Sequence, residues 1–242
     1  MKPLDYVAMM STRDYLQDVA KVIGKAQQVF LPQNPHEWQK GLEITAEGLV
    51  SQTFQTNAGD TRIILDMRKG EVRIDDKTWP LVVPASELLL QLEEWAGKEI
   101  AQPDFMTHEP TFKANEAHVL ADVLGWVREQ LQKLKNGTNT GSTSPILLFP
   151  HHFDASLVWF PDDTEKQLSF GFSTGDETIT EPYFYSTAYP EPPEFTNIEL
   201  PEHAFWQHQD FSGAVITYNV LAEKPDAEEV LQTYFASLLQ AF

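Results

Sequence analysis

The segment Pro150-His151-His152-Phe153-Asp154 carries the residue types best suited to chemistry in this sequence of 242 residues. Imidazole and carboxylate groups bind zinc, iron or manganese, and they also act as general bases and acids. On a strand, the period of two would place His152 and Asp154 on one face and His151 on the other. A metal could then bind His152, Asp154 and a third ligand from elsewhere. The spacing favours the alternative, in which these groups hydrogen-bond to the backbone at a turn between strands.

A second cluster is the tyrosine-rich run of residues 181–190. Read as a strand, it sends Tyr183, Tyr185 and Tyr189 to one face. Because each phenol has an apolar ring and a polar tip, such a ladder can line a ligand pocket. It can equally pack beneath a helix with its hydroxyls at the rim, and this is the commoner outcome for such residues. Glu181, at the start of the run, is a candidate acid.

The composition excludes several classes of function. The chain has 17 Lys and Arg against 36 Asp and Glu, a net charge of −19, and no cysteine. Disulfides, thiolate metal sites and cysteine nucleophiles are therefore excluded. The charge argues against nucleic-acid binding through phosphates and against docking on anionic membranes. Residues 145–242 hold 16 acids and only two bases, Lys166 and Lys224. This asymmetry indicates either acids in solvated loops or an acidic face for a basic partner.

Targeting and nucleotide signatures are also missing from the sequence. The N-terminus lacks the apolar run of a signal peptide, and no stretch approaches the roughly 20 apolar residues that span a bilayer. We therefore expect a cytoplasmic protein. No Gly-x-Gly-x-x-Gly motif, phosphate-binding loop or Gly-x-Ser-x-Gly elbow occurs, so nothing indicates a nucleotide or an ordinary serine hydrolase. The sequence names no cofactor and carries no signal for an oligomeric state.

Hydrophobic periodicity predicts an α+β fold with antiparallel sheets covered by about four helices. We expect Ser86, Asn115 and Asp226 to be helix N-caps and Gly97 a helix C-terminus. Short connections between successive strands favour antiparallel pairing, since parallel crossovers need a dozen or more residues. The predicted helices are about 12–24, 87–96, 115–136 and 226 onward. The predicted strands are 42–46, 49–55, 62–67, 71–75, 79–83, 146–149, 155–160, 167–173, 183–189 and 214–221.

Residues 136–144, which are Gly, Asn, Ser and Thr only, have the composition of a linker. They divide the chain into an N-terminal α+β half (1–135) and an acidic C-terminal α+β half (145–242), and the two halves could still pack as one globular unit. Each half has the order helix, about five strands, helix. An internal duplication is therefore a hypothesis, although the halves share no convincing sequence identity.

Motifs in both halves resemble a known family. In the first half they are Val22-Ile23-Gly24-Lys25, Trp38, Gly41-Leu42, Gly48-Leu49 and Ile63-Ile64-Leu65-Asp66. In the second half they are Ser144-Pro145-Ile146, His151-His152-Phe153-Asp154, Gly171-Phe172, Gly175-Asp176 and residues 181–192. Together they resemble the bacterial family catalogued as domain of unknown function 5996. The resemblance implies a soluble protein of unassigned activity. It makes 151–154 and 181–189 better candidates for a shared site, and it supplies no reaction.

Three classes of function follow from these residues. The first is a module that binds a small molecule in a pocket of the second half, with His152 and Asp154 as polar contacts. The second is a metal-assisted or acid–base enzyme that uses His152, Asp154 and Glu181. The third is an interaction protein that uses its acidic second half. For the first class, the pocket is expected to be lined by His151, Trp159, Tyr183, Tyr185 and Tyr189.

Overall fold

Contacts between Cα atoms divide the chain into two compact units in the computed structural model, which describes residues 3–57, 59–104, 109–162, 165–193 and 195–242. The C-terminal unit contains residues 1–7, 127–146 and 154–242. The N-terminal unit contains residues 8–126 and 147–153. The two predicted halves, with their boundary at 136–144, stay a prediction.

The described residues form five α-helices, and four of them are long. The long helices confirm the four that the hydrophobic period predicts. The short helix α4 replaces the end of the predicted strand 214–221, because Asn219 binds the backbone of Leu4 on both sides and Tyr218 donates its N–H to the Pro182 carbonyl. The helices are α1 (Tyr6–Gln28), α2 (Ala85–Ala96), α3 (Ala114–Gly137), α4 (Tyr218–Ala222) and α5 (Ala227–Ala241).

The predicted helix ends are only partly correct. Gly97 ends α2 in the left-handed conformation, with φ of 60°, as expected of a C-terminal glycine. Asp226 is the N-cap residue of α5, but its side chain makes no capping hydrogen bond. Ser86 and Asn115 lie inside α2 and α3 rather than at their caps, and Pro84 precedes α2. Burial of an apolar helix face decides such boundaries more strongly than one capping bond.

Fourteen strands occur among the described residues. Most are shorter than their predicted ranges, and the predicted strand 49–55 is divided between two of them. They are β1 (Leu42–Thr45), β2 (Gly48–Val50), β3 (Phe54–Thr56), β4 (Gly59–Thr61), β5 (Ile64–Asp66), β6 (Glu71–Ile74), β7 (Lys77–Pro80), β8 (Ser142–Thr143), β9 (Leu147–Phe149), β10 (Asp154–Phe160), β11 (Gln167–Ser173), β12 (Tyr183–Tyr189), β13 (Ala204–Gln207) and β14 (Gly213–Thr217).

In the N-terminal unit, antiparallel strands follow the order β9-β1-β2-β5-β6-β7, and β3 and β4 form a separate hairpin. The division of the predicted strand 49–55 occurs at Ser51, whose hydroxyl accepts the N–H of Ile63 at 2.8 Å. This side-chain bond replaces a ladder bond and lets the chain turn out of the sheet. Gly70, with φ of +70°, occupies the left-handed position of the hairpin turn between β5 and β6.

In the C-terminal unit, antiparallel strands follow the order β13-β14-β12-β11-β10, and β8 pairs with β10. One face of this sheet is apolar and packs against α5. The ring of Phe235 on α5 lies 5.3 Å from that of Phe170 and 6.0 Å from that of Phe184, measured between centroids. The opposite face carries the polar residues of the same strands. The predicted α+β class with mostly antiparallel sheet is therefore confirmed, whereas the internal duplication stays a hypothesis.

Among the described residues, no helix is both long and apolar enough to cross a membrane. The cytoplasmic location stays a prediction of the sequence.

Candidate functional site

The polar face of the C-terminal sheet is organised in rows that follow from strand register. Asp154, Ser173, Tyr183 and Thr217 lie side by side on β10, β11, β12 and β14. Because directly paired residues of antiparallel strands project to the same face, these four side chains share the polar face. The next row contains Ser156, Gly171, Tyr185 and Val215. Two tyrosines of the predicted ladder thus stand beside an aspartate of the His-Phe-Asp motif.

Tyr185 donates a hydrogen bond from its hydroxyl to Asp154, which lies two strands away. The ring crosses β11 directly above Gly171. A Cβ atom at position 171 would lie 2.3 Å from Cζ and 2.4 Å from the hydroxyl oxygen of Tyr185. Only glycine leaves room for the ring there. Gly171 therefore positions the tyrosine–aspartate pair without touching the aspartate.

A second tyrosine–aspartate pair lies next to the first. The hydroxyl of Tyr183 donates a hydrogen bond to Oδ2 of Asp176 at 2.5 Å. The other oxygen, Oδ1, accepts the backbone N–H groups of Thr178 and Ile179, each at 2.8 Å. The carboxylate is therefore held by the turn between β11 and β12. Gly175, with φ of +105°, begins that turn, and a Cβ there would lie 2.9 Å from the ring of Tyr6.

Phe211 completes a group of three aromatic rings at this face. Its ring is nearly parallel to that of Tyr183, with 6.4 Å between centroids and 8° between planes. It stands edge-on to Tyr185 at 6.2 Å, and the two tyrosine rings are themselves 6.2 Å apart. We call Tyr183, Tyr185 and Phe211 the aromatic triad.

Both tyrosines of the triad hold their protons strongly. Burial raises the pKa of Tyr185 well above its ordinary value, and the charge of Asp154 raises it further. Burial also raises the pKa of Tyr183, followed by the hydrogen bond to Asp176, and the charge of Asp154 acts in the same direction. One carboxylate thus acts on both phenols. At neutral pH the two hydroxyls are hydrogen-bond donors and not bases.

Alkaline titration should reveal these shifts. Five of the seven tyrosines (Tyr15, Tyr183, Tyr185, Tyr218 and Tyr234) have a raised pKa, and that of Tyr15 is about 12. Below the ordinary tyrosine pKa of 10.0, the folded and unfolded chains both keep these protons. Above it the unfolded chain loses protons that the folded chain retains, so stability falls by about 1.4 kcal/mol per pH unit for each such tyrosine.

The measurement is the near-ultraviolet absorbance of phenolate, followed together with far-ultraviolet circular dichroism. We expect these five tyrosines to ionise only as the helices unfold, above pH 10. Ionisation of all seven with a midpoint near pH 10 and an intact circular dichroism spectrum would contradict the prediction.

Thr217 contributes an unsatisfied group to the same face. Its side chain is 8% exposed, and its buried hydroxyl oxygen has no hydrogen-bond partner among the described residues. It lies directly across from Tyr183 in the register of β12 and β14. A buried hydroxyl without a partner costs about 1–3 kcal/mol. A water molecule or a ligand that reached this hydroxyl would supply the missing partner.

His151 and His152 occupy a turn and not the strand that would have aligned His152 with Asp154. The turn closes when the N–H of Phe153 binds the carbonyl of Phe149 at 2.9 Å, and Phe153 has a φ of +55°. Gln17 of α1 braces it by donating to the carbonyl of His151 at 2.8 Å. Both imidazoles are exposed and belong to the N-terminal unit. Partial loss of water around the ring and the charge of His152 lower the pKa of His151.

The other predicted site residues are spread over the C-terminal unit. Trp159 lies on the apolar face of β10, opposite Asp154, where its Nε1 donates to the carbonyl of Thr140 at 2.8 Å. Tyr189 is on the polar face at the far end of β12 and is 59% exposed. Glu181 is half-exposed in the loop before β12. Among the predicted residues of the C-terminal unit, a hydrogen bond and a ring contact join Asp154, Tyr185 and Tyr183.

The described part of the chain contains no group of three or more His, Asp or Glu side chains that could hold a metal ion.

A separate open depression of about 490 Å³ lies in the N-terminal unit between α2 and the β3–β4 hairpin. Its Phe30 ring is stacked on Phe54 at 4.7 Å and lies 4.4 Å from the Lys98 ammonium. The ring of Phe30 is therefore already in contact with Phe54 and Lys98 of the same chain.

The chain belongs to a family of unknown function, DUF5996, whose model matches residues 1–79 and 162–242. The family predicted from sequence motifs is therefore confirmed. No curated protein matches the chain significantly, and neither does any solved structure. The matched ranges include Gly171, Asp176, Tyr183 and Tyr185, whereas Asp154 lies outside them.

Several residues of this face were not predicted from the sequence to belong to a site. Gly171 and Asp176 lie in motifs shared with the family, which was the available signal. Asp176 also follows Gly175 and precedes Thr178, a composition typical of a side-chain-stabilised turn. Thr217 could not be found, because an unpaired hydroxyl is a property of the packed structure. Phe211 lies in a loop and gave no signal.

Proposed function

We propose that the protein binds a small molecule at the polar face of the C-terminal sheet, around the aromatic triad and its two aspartates. The carrying observation is the unsatisfied hydroxyl of Thr217 beside two tyrosine–aspartate pairs. The α5 side of the sheet is apolar, whereas this face buries polar groups: Tyr183 is 4% exposed and Thr217 8%. Polar groups held in fixed positions at a stability cost are typical of binding sites.

The raised pKa values of Tyr183 and Tyr185 argue against these two phenols as general bases. A phenol whose pKa is raised keeps its proton at neutral pH, and Tyr183 and Tyr185 each donate that proton to an aspartate, so they offer a ligand aromatic surface and the lone pairs of their oxygens. The acid–base enzyme that uses His152, Asp154 and Glu181 stays an alternative hypothesis. The binding site that we propose does not require the exposed histidine turn.

The substitution Thr217→Val tests this function because it should change stability and affinity in opposite directions. Valine has the shape of threonine without the hydroxyl, so the free protein should gain about 1 kcal/mol of stability. Compounds that bind the site should bind about tenfold more weakly to the variant, since the hydroxyl is then missing. The compounds are amino acids, amines, nucleosides, monosaccharides and carboxylic acids, screened by ligand-observed NMR.

The matched control is Thr187→Val, which changes a half-exposed threonine on the same face, further along β12. Because water reaches that hydroxyl, the free energy of unfolding should change by less than about 0.5 kcal/mol. The affinity for each compound should change by less than about twofold. The proposed function would be overturned if no compound in the set bound. It would also be overturned if both variants bound every compound as tightly as the natural protein does.

A further inference from the structure

The three rings of the aromatic triad lie close enough together for one cation to interact with all of them. Its centroids form a triangle with sides of 6.2, 6.2 and 6.4 Å. A group about 3 Å above the plane of these centroids would lie about 5 Å from all three, within the roughly 6 Å reach of cation–π attraction. The rings of Tyr183 and Phe211 are nearly parallel, and the ring of Tyr185 is inclined at 58° to Tyr183 and 65° to Phe211.

The two aspartates strengthen that attraction. Tyr183 and Tyr185 each donate to a carboxylate, and a phenol that donates to an anion has a more electron-rich ring. The carboxylates also add direct Coulomb attraction for a cation, which is larger at a half-buried site than in water. The same Asp154 charge acts on both tyrosines, so the two pairs contribute to one local field.

The charges in the surrounding loops have the same sign. Glu177 and Glu181 belong to the turn that holds Asp176, and Asp210 precedes Phe211 and accepts a hydrogen bond from Thr178. The only basic residues of 145–242 are Lys166 and Lys224. Lys166 precedes β11 at the end of the sheet that carries Tyr189, away from the Asp154 row. Together with Asp154 and Asp176, these acids favour a cationic ligand over an anionic one.

We infer that the ligand of this site is an organic cation, an alkylated ammonium group held by the aromatic triad between Asp154 and Asp176. This inference rests on the proposed binding function and names its ligand class. Methyl groups on nitrogen spread the charge and contact ring faces, whereas a bare metal ion needs several oxygen or nitrogen ligands. Three rings and two carboxylates therefore suit an alkylated ammonium group better than a metal ion.

Choline and 3,3-dimethylbutan-1-ol provide the test, because they have the same shape and differ only in the charge. Both are titrated into the full chain by isothermal titration calorimetry. We expect choline to bind at least about tenfold more tightly than the alcohol, since a desolvated cation–π contact is worth about 2 kcal/mol. Added sodium chloride should weaken the binding of choline and leave that of the alcohol nearly unchanged.

Variants of Phe211 and Asp154 locate the effect. Phe211→Leu keeps an apolar side chain without the ring, so it should weaken choline about five- to thirtyfold and the alcohol much less. The matched control is Phe205→Leu, because Phe205 is an exposed phenylalanine on β13 of the same sheet. Asp154→Asn keeps an acceptor for the Tyr185 hydroxyl and removes the charge. It should also reduce the preference for choline over the alcohol, in protein whose circular dichroism is unchanged.

The outcomes separate this inference from the proposed function. If the alcohol or another neutral compound binds with an affinity that depends on Thr217, and choline binds no more tightly, the ligand class is wrong and the binding site stands. If choline binds equally to the natural protein and to Phe211→Leu, the triad is not its site and the inference is overturned. If no compound binds, both proposals fail.

Discussion

Replacing Phe235 by alanine should lower the free energy of unfolding by about 3–5 kcal/mol, the usual loss for a fully buried phenylalanine. Phe235 is 1% exposed and lies on α5 beneath the apolar face of the C-terminal sheet. Its ring contacts Phe170, Phe184 and Tyr234 at centroid distances of 5.3, 6.0 and 5.6 Å. The cavity left by alanine has rigid aromatic walls, so little of it can close.

The measurement is chemical unfolding followed by circular dichroism, with Gln240→Ala as the control. Gln240 is an exposed residue of the same helix, so its replacement should change stability by less than about 0.5 kcal/mol. A loss below about 1 kcal/mol for Phe235→Ala would show that α5 does not cover this sheet as described.

The substitution Gly171→Ala should have the largest effect on the candidate site. The new methyl group would lie 2.3 Å from the Tyr185 ring, and the ring must move because the strand backbone beneath it is fixed by pairing on both sides. Moving the ring breaks the hydrogen bond to Asp154. Overpacking and the loss of a bond to a charged acceptor together should cost about 2–4 kcal/mol.

A double-mutant cycle shows whether the cost comes from Tyr185. In a Tyr185→Ala background there is no ring above position 171, so Gly171→Ala should be neutral or stabilise the strand by up to about 1 kcal/mol. The free energy of unfolding and the affinity for choline are measured for each of the four proteins of the cycle. Equal costs of Gly171→Ala in the two backgrounds would contradict the role assigned to this glycine.

Strand β12 shows how far local sequence reasoning reaches. Its predicted range, 183–189, and that of β11, 167–173, agree with the structure at both ends. The alternation of tyrosine with apolar residues was a strong signal, because side chains of a half-buried strand must alternate between core and open face. Trp159 also follows the alternation of its strand, β10. The alternation within one strand does not show which of its two faces packs against the core. The sequence therefore placed Trp159 with the tyrosines, whereas it lies on the opposite face from Asp154.

The histidine turn shows where local reasoning stops. Pro150-His151-His152 was compatible with a strand or a turn, and the choice depended on Gln17, which is 133 residues before Pro150 in the chain and donates to that turn. Likewise, the short helix α4 replaced a predicted strand because Asn219 binds Leu4 at the other end of the chain. Propensity and periodicity contain no information on such distant partners.

The sequence alone determined the family, the α+β class, the four long helices and the tyrosine face of β12, because these depend on motifs and on the hydrophobic period. The sequence also shows that most of the net negative charge lies in the last 98 residues, which contain the candidate site. Only the tertiary structure decided that Tyr185 reaches Asp154 across Gly171, that Tyr183 binds Asp176 and that Phe211 joins them. These contacts depend on strand register and loop closure, which are set by packing between residues far apart in the chain.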